Sequence, residues 1–365
     1  MIQTRAQKIR VLIVEDSAVI RLLLERIINS DPRLEVAGAV ANGREAILAL
    51  DKLSPDIVSM DIRMPVMDGF ETTRKIMETR PTPIVVVSAS VDKSDLKISM
   101  NALKAGALSV VEKPVGLTHR DYETLSRRLC QQLVVMSDVK LVRRRFSSRA
   151  ASTEHIHAPD EKRLSPARPF PHDRYDIVGL VASTGGPNAL VQVLGGLGAN
   201  FPLPIVIVQH MTPTFLAGFV SWLNDSVALP VQIAVDGSSL AAGCAYVAPA
   251  DVHMHVNGFT LRLASGEEVS GQRPSGTVML RSIADSLGSK AIGVVLTGMG
   301  DDGARGLHAL SRAGGYTIAE DETTAVVYGM PAVAVRMGGV HETLPLPRIA
   351  PRLVELAKMT ERAGV

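Results

Sequence analysis

Residues Asp176 to Pro187 read Asp-Ile-Val-Gly-Leu-Val-Ala-Ser-Thr-Gly-Gly-Pro, an apolar run that stops at Ser183 before two glycines and a proline. The apolar run predicts a buried strand, and the glycines and the proline predict a sharp turn into a helix. Ser183 would then lie at the carboxyl end of its strand, which is the edge where open α/β sheets hold their sites. The stretch therefore predicts an α/β sheet with a candidate site at Ser183.

Two further apolar runs in the same part of the chain lead into polar side chains. Pro204–Gln209 leads directly to His210, and Ala291–Thr297 leads to Gly298-Met-Gly-Asp-Asp-Gly303. In a parallel sheet these strand ends share one edge, so a serine, a histidine and an acid can meet there although they are far apart in the sequence. A hydroxyl made nucleophilic by an imidazole that a carboxylate orients is the constellation for acyl transfer. Spacing alone does not choose between Asp301 and Asp302 as the acid.

Other interpretations of these residues remain open at this point. Ser183 could be only a helix N-cap, and either aspartate could cap the helix that starts near Gly303. Gly298–Gly303 also fits the Gly-x-Gly-x-x-Gly fingerprint of dinucleotide-binding sites, with Glu320-Asp321 near the spacing of a ribose ligand. Two carboxylates in that cradle would repel a pyrophosphate. The pattern therefore favours a hydrolytic site over a nucleotide site.

The first part of the chain contains five apolar runs, each followed by an amphipathic stretch of helical length. Five such repeats predict a parallel, doubly wound sheet. The predicted strands are Arg10–Val14, Glu35–Val40, Asp56–Met60, Pro83–Val87 and Ala107–Val111.

Polar residues follow four of these five strands. They are Glu15, Asp16, Asp61, Ser88 and Lys113. With a strand order of 2-1-3-4-5, the three acids crowd together at the carboxyl edge, and Mg²⁺ is the cation that such a partial oxygen cage suits. Lys113 and Ser88 could then contact a phosphoryl group on Asp61. Taken one at a time, these residues could instead be helix caps and turn formers.

Composition limits the class of protein. A chain of 365 residues is too long for one ordinary domain, and its 46% hydrophobic and 21% charged residues are typical of a globular protein with a large core. The net charge of +2 implies no nucleic-acid surface, and no apolar run reaches the roughly 18 residues of a membrane span. The polar, basic N-terminus is not a signal peptide. We expect a cytoplasmic protein that neither binds nucleic acid nor inserts into a membrane.

The fold class that these patterns predict is α/β, with two doubly wound parallel-sheet domains. We place the first domain at residues 9–137 and the second at residues 174–350. Residues 138–173 lose all apolar periodicity and are rich in serine, proline and arginine, so they form the predicted linker.

Residues 9–137 resemble a response-regulator receiver domain, whose fold is a flavodoxin-like (βα)5 unit. The resemblance implies Asp61 as the phospho-acceptor, Glu15 and Asp16 as its fellow Mg²⁺ ligands, Ser88 as the switch hydroxyl and Lys113 as the phosphate-contacting lysine. It also implies a histidine kinase of the CheA type as the phosphodonor.

Five motifs of the second domain resemble the catalytic domain of the chemotaxis protein-glutamate methylesterase (CheB) family. They are Ala182-Ser-Thr-Gly-Gly-Pro187, Gln209-His-Met211, Tyr246-Val-Ala-Pro249, Thr297-Gly-Met-Gly300 and Tyr328-Gly-Met-Pro331. The resemblance implies demethylation of glutamate methyl esters, together with deamidation of glutamines, on methyl-accepting chemoreceptors. It implies no cofactor for hydrolysis, and a receiver that covers the catalytic cleft until it is phosphorylated.

Carried over to this chain, the family motifs imply a role for each site residue. Ser183 is the nucleophile, His210 the base and Asp302 the orienting acid, with Thr184 and Met299 near the oxyanion. The family pattern Thr-Gly-Met-Gly-x-Asp-Gly selects Asp302 over its neighbour.

One stretch departs from the family pattern. Gln272-Arg-Pro-Ser-Gly-Thr277 stands where the family commonly reads His-Arg-Pro-Ser-Val-Asp, so the wall of the substrate cleft is expected to differ. This departure leaves one alternative function, a receiver-linked signalling module of weak or no activity that only binds a receptor or another regulator.

Overall fold

The structure, a computed structural model, describes residues 7–88, 100–114, 122–139 and 175–362. Apart from its first two residues, the predicted linker lies outside the described residues, so its bounds and those of the two domains remain predictions.

A five-stranded parallel sheet forms the first domain, with the strand order β2-β1-β3-β4-β5. Its strands are β1 (Ile9–Val14), β2 (Leu34–Val40), β3 (Ile57–Met60), β4 (Ile84–Ser88) and β5 (Ser109–Glu112). The predicted fold and strand order are confirmed, and each strand differs from its predicted bounds by only one or two residues.

Helices cover both faces of this sheet. They are α1 (Ala18–Ser30), α2 (Gly43–Leu53), α3 (Gly69–Thr79) and α4 (Tyr122–Ser137). Local sequence sets where three of them begin, because Ser17, Asn42 and Asp68 each accept a hydrogen bond from a backbone N–H of the first helical turn.

A second parallel sheet has seven strands in the order β14-β13-β12-β6-β7-β9-β8. The strands are β6 (Ile177–Ala182), β7 (Ile205–Gln209), β8 (Val231–Ile233), β9 (Ala245–Val247), β12 (Ala291–Val295), β13 (Tyr316–Glu320) and β14 (Glu342–Leu344). The central strands are buried along their whole length, as parallel strands covered on both faces must be. A separate antiparallel hairpin consists of β10 (His253–Asn257) and β11 (Thr260–Ala264).

Two apolar layers enclose the second sheet. The helices are α5 (Gly186–Leu197), α6 (Pro213–Asn224), α7 (Gly276–Leu287), α8 (Ala304–Arg312), α9 (Met330–Arg336) and α10 (Leu346–Arg362). Helices α5, α6 and α10 share one buried cluster with the strands, and α7 and α8 share the cluster on the opposite face.

The order of the strands places a crevice at the carboxyl end of β6. The chain runs from β6 to β7 on one side and returns later to β12 on the other, so β6 lies at a topological switch point. Ligands of open α/β sheets bind at such points. The residues that follow these three strands therefore face one another.

The two domains also contact each other. Met100 and Leu103 of the first domain belong to the same buried apolar cluster as Phe215 and Trp222 of α6. The Lys104 ammonium lies 5.7 Å from the centre of the Trp222 ring, a cation–π distance. Within the described parts of the chain, no helix has the length and apolar character needed to cross a membrane.

Candidate active site

Ser183 lies on a tight turn between β6 and α5. Its backbone N–H donates to the Thr297 carbonyl at 3.0 Å, and its own carbonyl accepts from the N–H of Gly186 at 2.9 Å. Gly185 has a φ of +81°, a backbone conformation that is strained for any residue with a side chain. A Cβ there would also lie 2.6 Å from Cβ of Val326. These contacts fix the serine at the sheet edge, as the opening motif predicts.

The acid and the imidazole meet across the sheet. His210 Nε2 lies 2.8 Å from Asp302 Oδ2, and the two side chains are 4% and 2% exposed. Asp301, the other candidate acid, lies instead 3.1 Å from Arg305 on a partly exposed surface. The structure thus separates two neighbouring residues that spacing alone could not.

The Asp302 carboxylate packs against the amino terminus of α7, where hydrogen-bond donors stabilise its negative charge. Its Oδ1 accepts from the Ser275 hydroxyl at 2.6 Å and from the Thr277 N–H at 3.0 Å, and its Oδ2 accepts from the Gly276 N–H at 2.6 Å. Burial alone would raise the pKa of this carboxyl, but the bonds from His210, Ser275 and Thr277 outweigh burial and lower the pKa to about 2. Asp302 is therefore ionised at neutral pH.

An ionised Asp302 fixes the tautomer of His210. Because the carboxylate only accepts, the imidazole carries its proton on Nε2, which leaves the lone pair on Nδ1. Nδ1 is buried and has no hydrogen-bond partner among the described residues. His210 thus has a free base nitrogen held in place by its carboxylate.

Ser183, His210 and Asp302 line one cavity of about 260 Å³, together with Thr184 and Met299. All five residues that the sequence assigns to hydrolysis are therefore brought together. The departing stretch also lies here, because Gln272 lines the same cavity and Ser275 to Thr277 hold Asp302.

The first domain closes the cavity from the other side. Its lining includes Ser109, Glu112, Arg128, Gln131 and Gln132.

Gln132 of α4 contacts the residue next to Ser183. Its Nε2 donates to the Thr184 hydroxyl at 3.1 Å, while its Oε1 accepts from the Ser109 hydroxyl of β5 at 2.9 Å. Gln131 Nε2 lies 3.3 Å from Met299 Sδ. The two bonds of Gln132 connect strand β5, through α4, to the residue that follows Ser183.

The three acids of the first domain also meet at a sheet edge, where Glu15, Asp16 and Asp61 place a carboxylate oxygen each within 4.8 Å of one another. Lys113 Nζ lies 2.8 Å from Glu15 and 3.0 Å from Asp61. Burial raises the pKa of both Glu15 and Asp61, and repulsion between the two adds to the rise in Glu15. Ser88 is buried at the end of β4. The three acids and Lys113, predicted from the strand ends of this sheet, are thus brought together.

Sequence reasoning missed the residues that support Asp302. Ser275, Gly276 and Thr277 come from a helix start about 25 residues away in the chain, and only the N-cap character of Ser275 signals them. It also missed His253, which is buried and accepts from the Ser275 N–H at 3.3 Å.

Glu320 is a fully buried carboxyl behind the site. Its Oε2 accepts from the Thr297 N–H at 2.7 Å and its Oε1 from the Thr324 hydroxyl at 3.1 Å. Burial raises its pKa to about 7, although these hydrogen bonds act in the opposite direction. A buried residue bonded to the backbone in this way is not placed to bind a ribose, which removes one support of the nucleotide interpretation.

Replacing Glu320 by glutamine should stabilise the protein at alkaline pH. A folded-state pKa of about 7 against an ordinary 4.5 means that ionisation of Glu320 disfavours the folded state, progressively from about pH 4.5 to 7. The gain in the free energy of unfolding should therefore rise through that window towards about 3 kcal/mol. Urea titrations at several pH values measure it, with Glu322→Gln as the exposed control. A difference in the free energy of unfolding between Glu320→Gln and the unmodified protein that does not change with pH would contradict the argument from burial.

Comparison with known proteins finds matches to both domains. The family profile described as CheB methylesterase matches residues 178–353, and the profile described as response regulator receiver domain matches residues 11–120. A protein-glutamate methylesterase/protein-glutamine glutaminase of Paramagnetospirillum magneticum is 52% identical over 351 residues, covering 96% of this chain and 98% of that protein. A namesake in Syntrophus aciditrophicus is 44% identical over 358 residues, covering 96% and 98%.

Among solved structures, the Thermotoga maritima CheB methylesterase catalytic domain is 37% identical, with a TM-score of 0.48, and covers 50% of this chain and 98% of that one. The sequence identity along nearly the whole length of both curated relatives establishes the family. The chain belongs to the CheB methylesterase family, with a response regulator receiver domain ahead of the methylesterase domain.

Proposed function

We propose that this chain is a cytoplasmic, phosphorylation-controlled serine hydrolase that removes methyl groups from glutamate methyl esters of methyl-accepting chemoreceptors. The observation that carries the proposal is the His210 imidazole, held by Asp302 at Nε2 and left with a free Nδ1 in the cavity that Ser183 lines. The names of the relatives supply the substrate class.

In the proposed reaction, Ser183 Oγ attacks the ester carbonyl carbon while His210 Nδ1 accepts the hydroxyl proton. The Met299 backbone N–H and Thr184 are assigned to the oxyanion of the tetrahedral intermediate. The intermediate collapses, and methanol leaves with the proton from Nδ1. A water then attacks the acyl-enzyme, gives its proton to Nδ1, and the glutamate carboxylate departs as Ser183 regains its proton.

Deamidation of glutamine follows from the same steps. The amide carbonyl takes the place of the ester carbonyl, and ammonia leaves with the proton from Nδ1 in place of methanol. Both reactions give the same glutamyl-enzyme, so the chain needs no cofactor for either.

Phosphorylation is assigned to Asp61, with a histidine kinase of the CheA type as the donor. Glu15, Asp16 and Asp61 fit a Mg²⁺ ion, because their crowded oxygens form a hard, anionic and incomplete cage. When bound, the ion would neutralise the acids and the incoming phosphoryl oxygens. Lys113, already within 3.0 Å of Asp61, would contact the phosphoryl group, and Ser88 would serve as the switch hydroxyl.

Access to Ser183 is the property that phosphorylation would control. The receiver supplies one wall of the cavity, and Gln132 already bonds Thr184, so movement of the receiver would widen the access of a receptor side chain to Ser183. Ser109 lies on β5 beside β4, the strand that ends in Ser88, and it connects to Thr184 through Gln132. Phosphorylation would therefore change the populations of closed and open arrangements of the domains.

Acetyl phosphate with Mg²⁺ should stimulate methanol release from methylated receptor membranes, and Asp61→Asn should remove the stimulation. We expect stimulation of roughly tenfold or more, which needs a shift of only about 1.4 kcal/mol between the two arrangements. Trp222, the only tryptophan of the chain, reports the same event, because Lys104 of the receiver lies against its ring. Its fluorescence should change with acetyl phosphate in the unmodified protein and not in Asp61→Asn.

Asp51→Asn is the matched control for this test, since Asp51 is an exposed aspartate on α2 and pairs only with Arg80 among the contacts described. It should respond as the unmodified protein does. Equal stimulation of Asp61→Asn would reject Asp61 as the phospho-acceptor, and a protein without methanol release in any state would reject the hydrolase itself.

A further inference from the structure

Gln209 is the last residue of β7 and directly precedes His210, and its side chain is almost completely buried. Its Nε2 donates to the Ser183 carbonyl at 2.9 Å and to the His210 carbonyl at 3.0 Å. One carboxamide thus joins the backbone of the residue that carries the hydroxyl to that of the residue that carries the imidazole.

The partners of Gln209 fix which end of the amide is which. Both are carbonyl oxygens, and of the two ends of a carboxamide only the NH₂ group can donate. The amide oxygen has no hydrogen-bond partner among the described residues, which is uncommon for a buried polar atom. The hydrogen bonds of this side chain are therefore made by its two donors alone.

The second glycine of the Ser-Thr-Gly-Gly motif makes room for this amide. A Cβ on Gly186 would lie 2.0 Å from Gln209 Oε1 and 3.0 Å from its Cδ, far inside van der Waals contact. Gly186 and Gln209 are therefore one packed unit beneath Ser183, formed by residues 23 positions apart in the sequence.

None of the three side chains nearest to glutamine in size or chemistry could replace both bonds. A glutamate would present carboxylate oxygens to two carbonyl oxygens, and methionine has nearly the same shape but no donor. Asparagine is one methylene shorter and would draw the amide back from both carbonyls.

We propose that Gln209 is a positioning residue for hydrolysis, which sets the placement of Ser183 Oγ relative to His210 Nδ1 by tying the two backbones together. It does not touch the reacting atoms, and it acts through the residues that do. The proposal rests on the proposed function, because it assigns Gln209 a part in the same reaction. The active sites of enzymes are sensitive to such placement, since an error of about 1 Å can cost on the order of 100-fold in rate.

The test compares Gln209→Met and Gln209→Glu with the unmodified full-length protein, treated with acetyl phosphate and assayed by methanol release from methylated receptor membranes. We expect kcat to fall about 10- to 100-fold in both variants. We expect KM to stay within about twofold, because substrate binding is unchanged. The midpoint of thermal unfolding should shift little in Gln209→Met and further in Gln209→Glu, which buries a carboxyl group beside two carbonyl oxygens. Gln232→Met, on the exposed face of β8, is the matched control and should behave as the unmodified protein.

Each other outcome overturns the proposal. An unchanged kcat, or a raised KM with unchanged kcat, would mean that Gln209 does not place the reacting groups. Unfolding of both variants at the assay temperature would mean that the amide holds the fold together and has no separate part in the reaction. Absence of activity in the unmodified protein would refute the proposed function itself, which distinguishes that failure from failure of Gln209 alone.

Discussion

Replacing Ser183 by alanine should reduce methyl-ester hydrolysis by about 10⁴-fold or more, to the detection limit, because the acyl-enzyme can no longer form. The imidazole, its carboxylate and the cavity would all remain, so the loss isolates the nucleophile. Release of labelled methanol from methylated receptor membranes measures it. The folded state should be unaffected, because the Ser183 hydroxyl donates no hydrogen bond among those described and only its backbone holds the turn.

Ser221→Ala is the control for this substitution, since Ser221 is an exposed serine on α6. It should keep full activity and an unchanged unfolding midpoint. Activity retained in Ser183→Ala would place the nucleophile elsewhere. A protein whose unmodified form is already inactive would instead favour the binding module that the altered Gln272–Thr277 stretch leaves as the alternative.

Most of the site is predictable because parallel sheets collect the ends of distant strands. Ser183, His210 and the Asp301–Asp302 pair each follow an apolar run, and a shared carboxyl edge is enough to bring them together. The same reasoning collects Glu15 and Asp61 in the receiver. These predictions required no knowledge of how the helices pack.

The remaining contacts depend on packing that no local pattern encodes. Asp302 differs from Asp301 only because the start of α7 packs against one of them, and that start lies on a segment some 26 positions earlier in the chain. The bond from Gln132 to Thr184 depends on how two separate domains meet. Sequence periodicity describes each element alone and does not report either arrangement.

Replacing Asp302 by asparagine should lower kcat by about 10⁴-fold, because it changes the tautomer of His210. Both oxygens of Asp302 accept backbone N–H bonds, Oδ2 from Gly276 and Oδ1 from Thr277. In the asparagine variant, an amide NH₂ at the position of either oxygen would therefore face a backbone N–H, and neither group could accept. At the Oδ2 place it would also donate to Nε2 of His210 and drive the proton to Nδ1, the atom that must accept from Ser183.

The same substitution should change how stability depends on pH. A pKa lowered from 3.8 to about 2 means that ionised Asp302 contributes roughly 2.5 kcal/mol to folding at neutral pH, and that this contribution is lost as the pH falls from about 5 to 1. The asparagine variant has no such group, so the stability difference between the two proteins should shrink below about pH 5. Chemical unfolding at pH 7 and pH 3.5 measures this difference.

Asp301→Asn decides whether these effects belong to the residue or to the loop. Asp301 carries the same charge one position earlier, but among the described residues its side chain bonds only Arg305 at the surface. A surface ion pair contributes about 1 kcal/mol or less, so this variant should keep its kcat and its pH dependence. If Asp301→Asn and Asp302→Asn lost activity equally, the loss would come from the negative charge of the loop and not from the hydrogen bond to His210. Loss of activity in Asp302→Asn alone would show that catalysis depends on the carboxylate bonded to His210. That bond is the one that leaves Nδ1 free to accept the proton of Ser183.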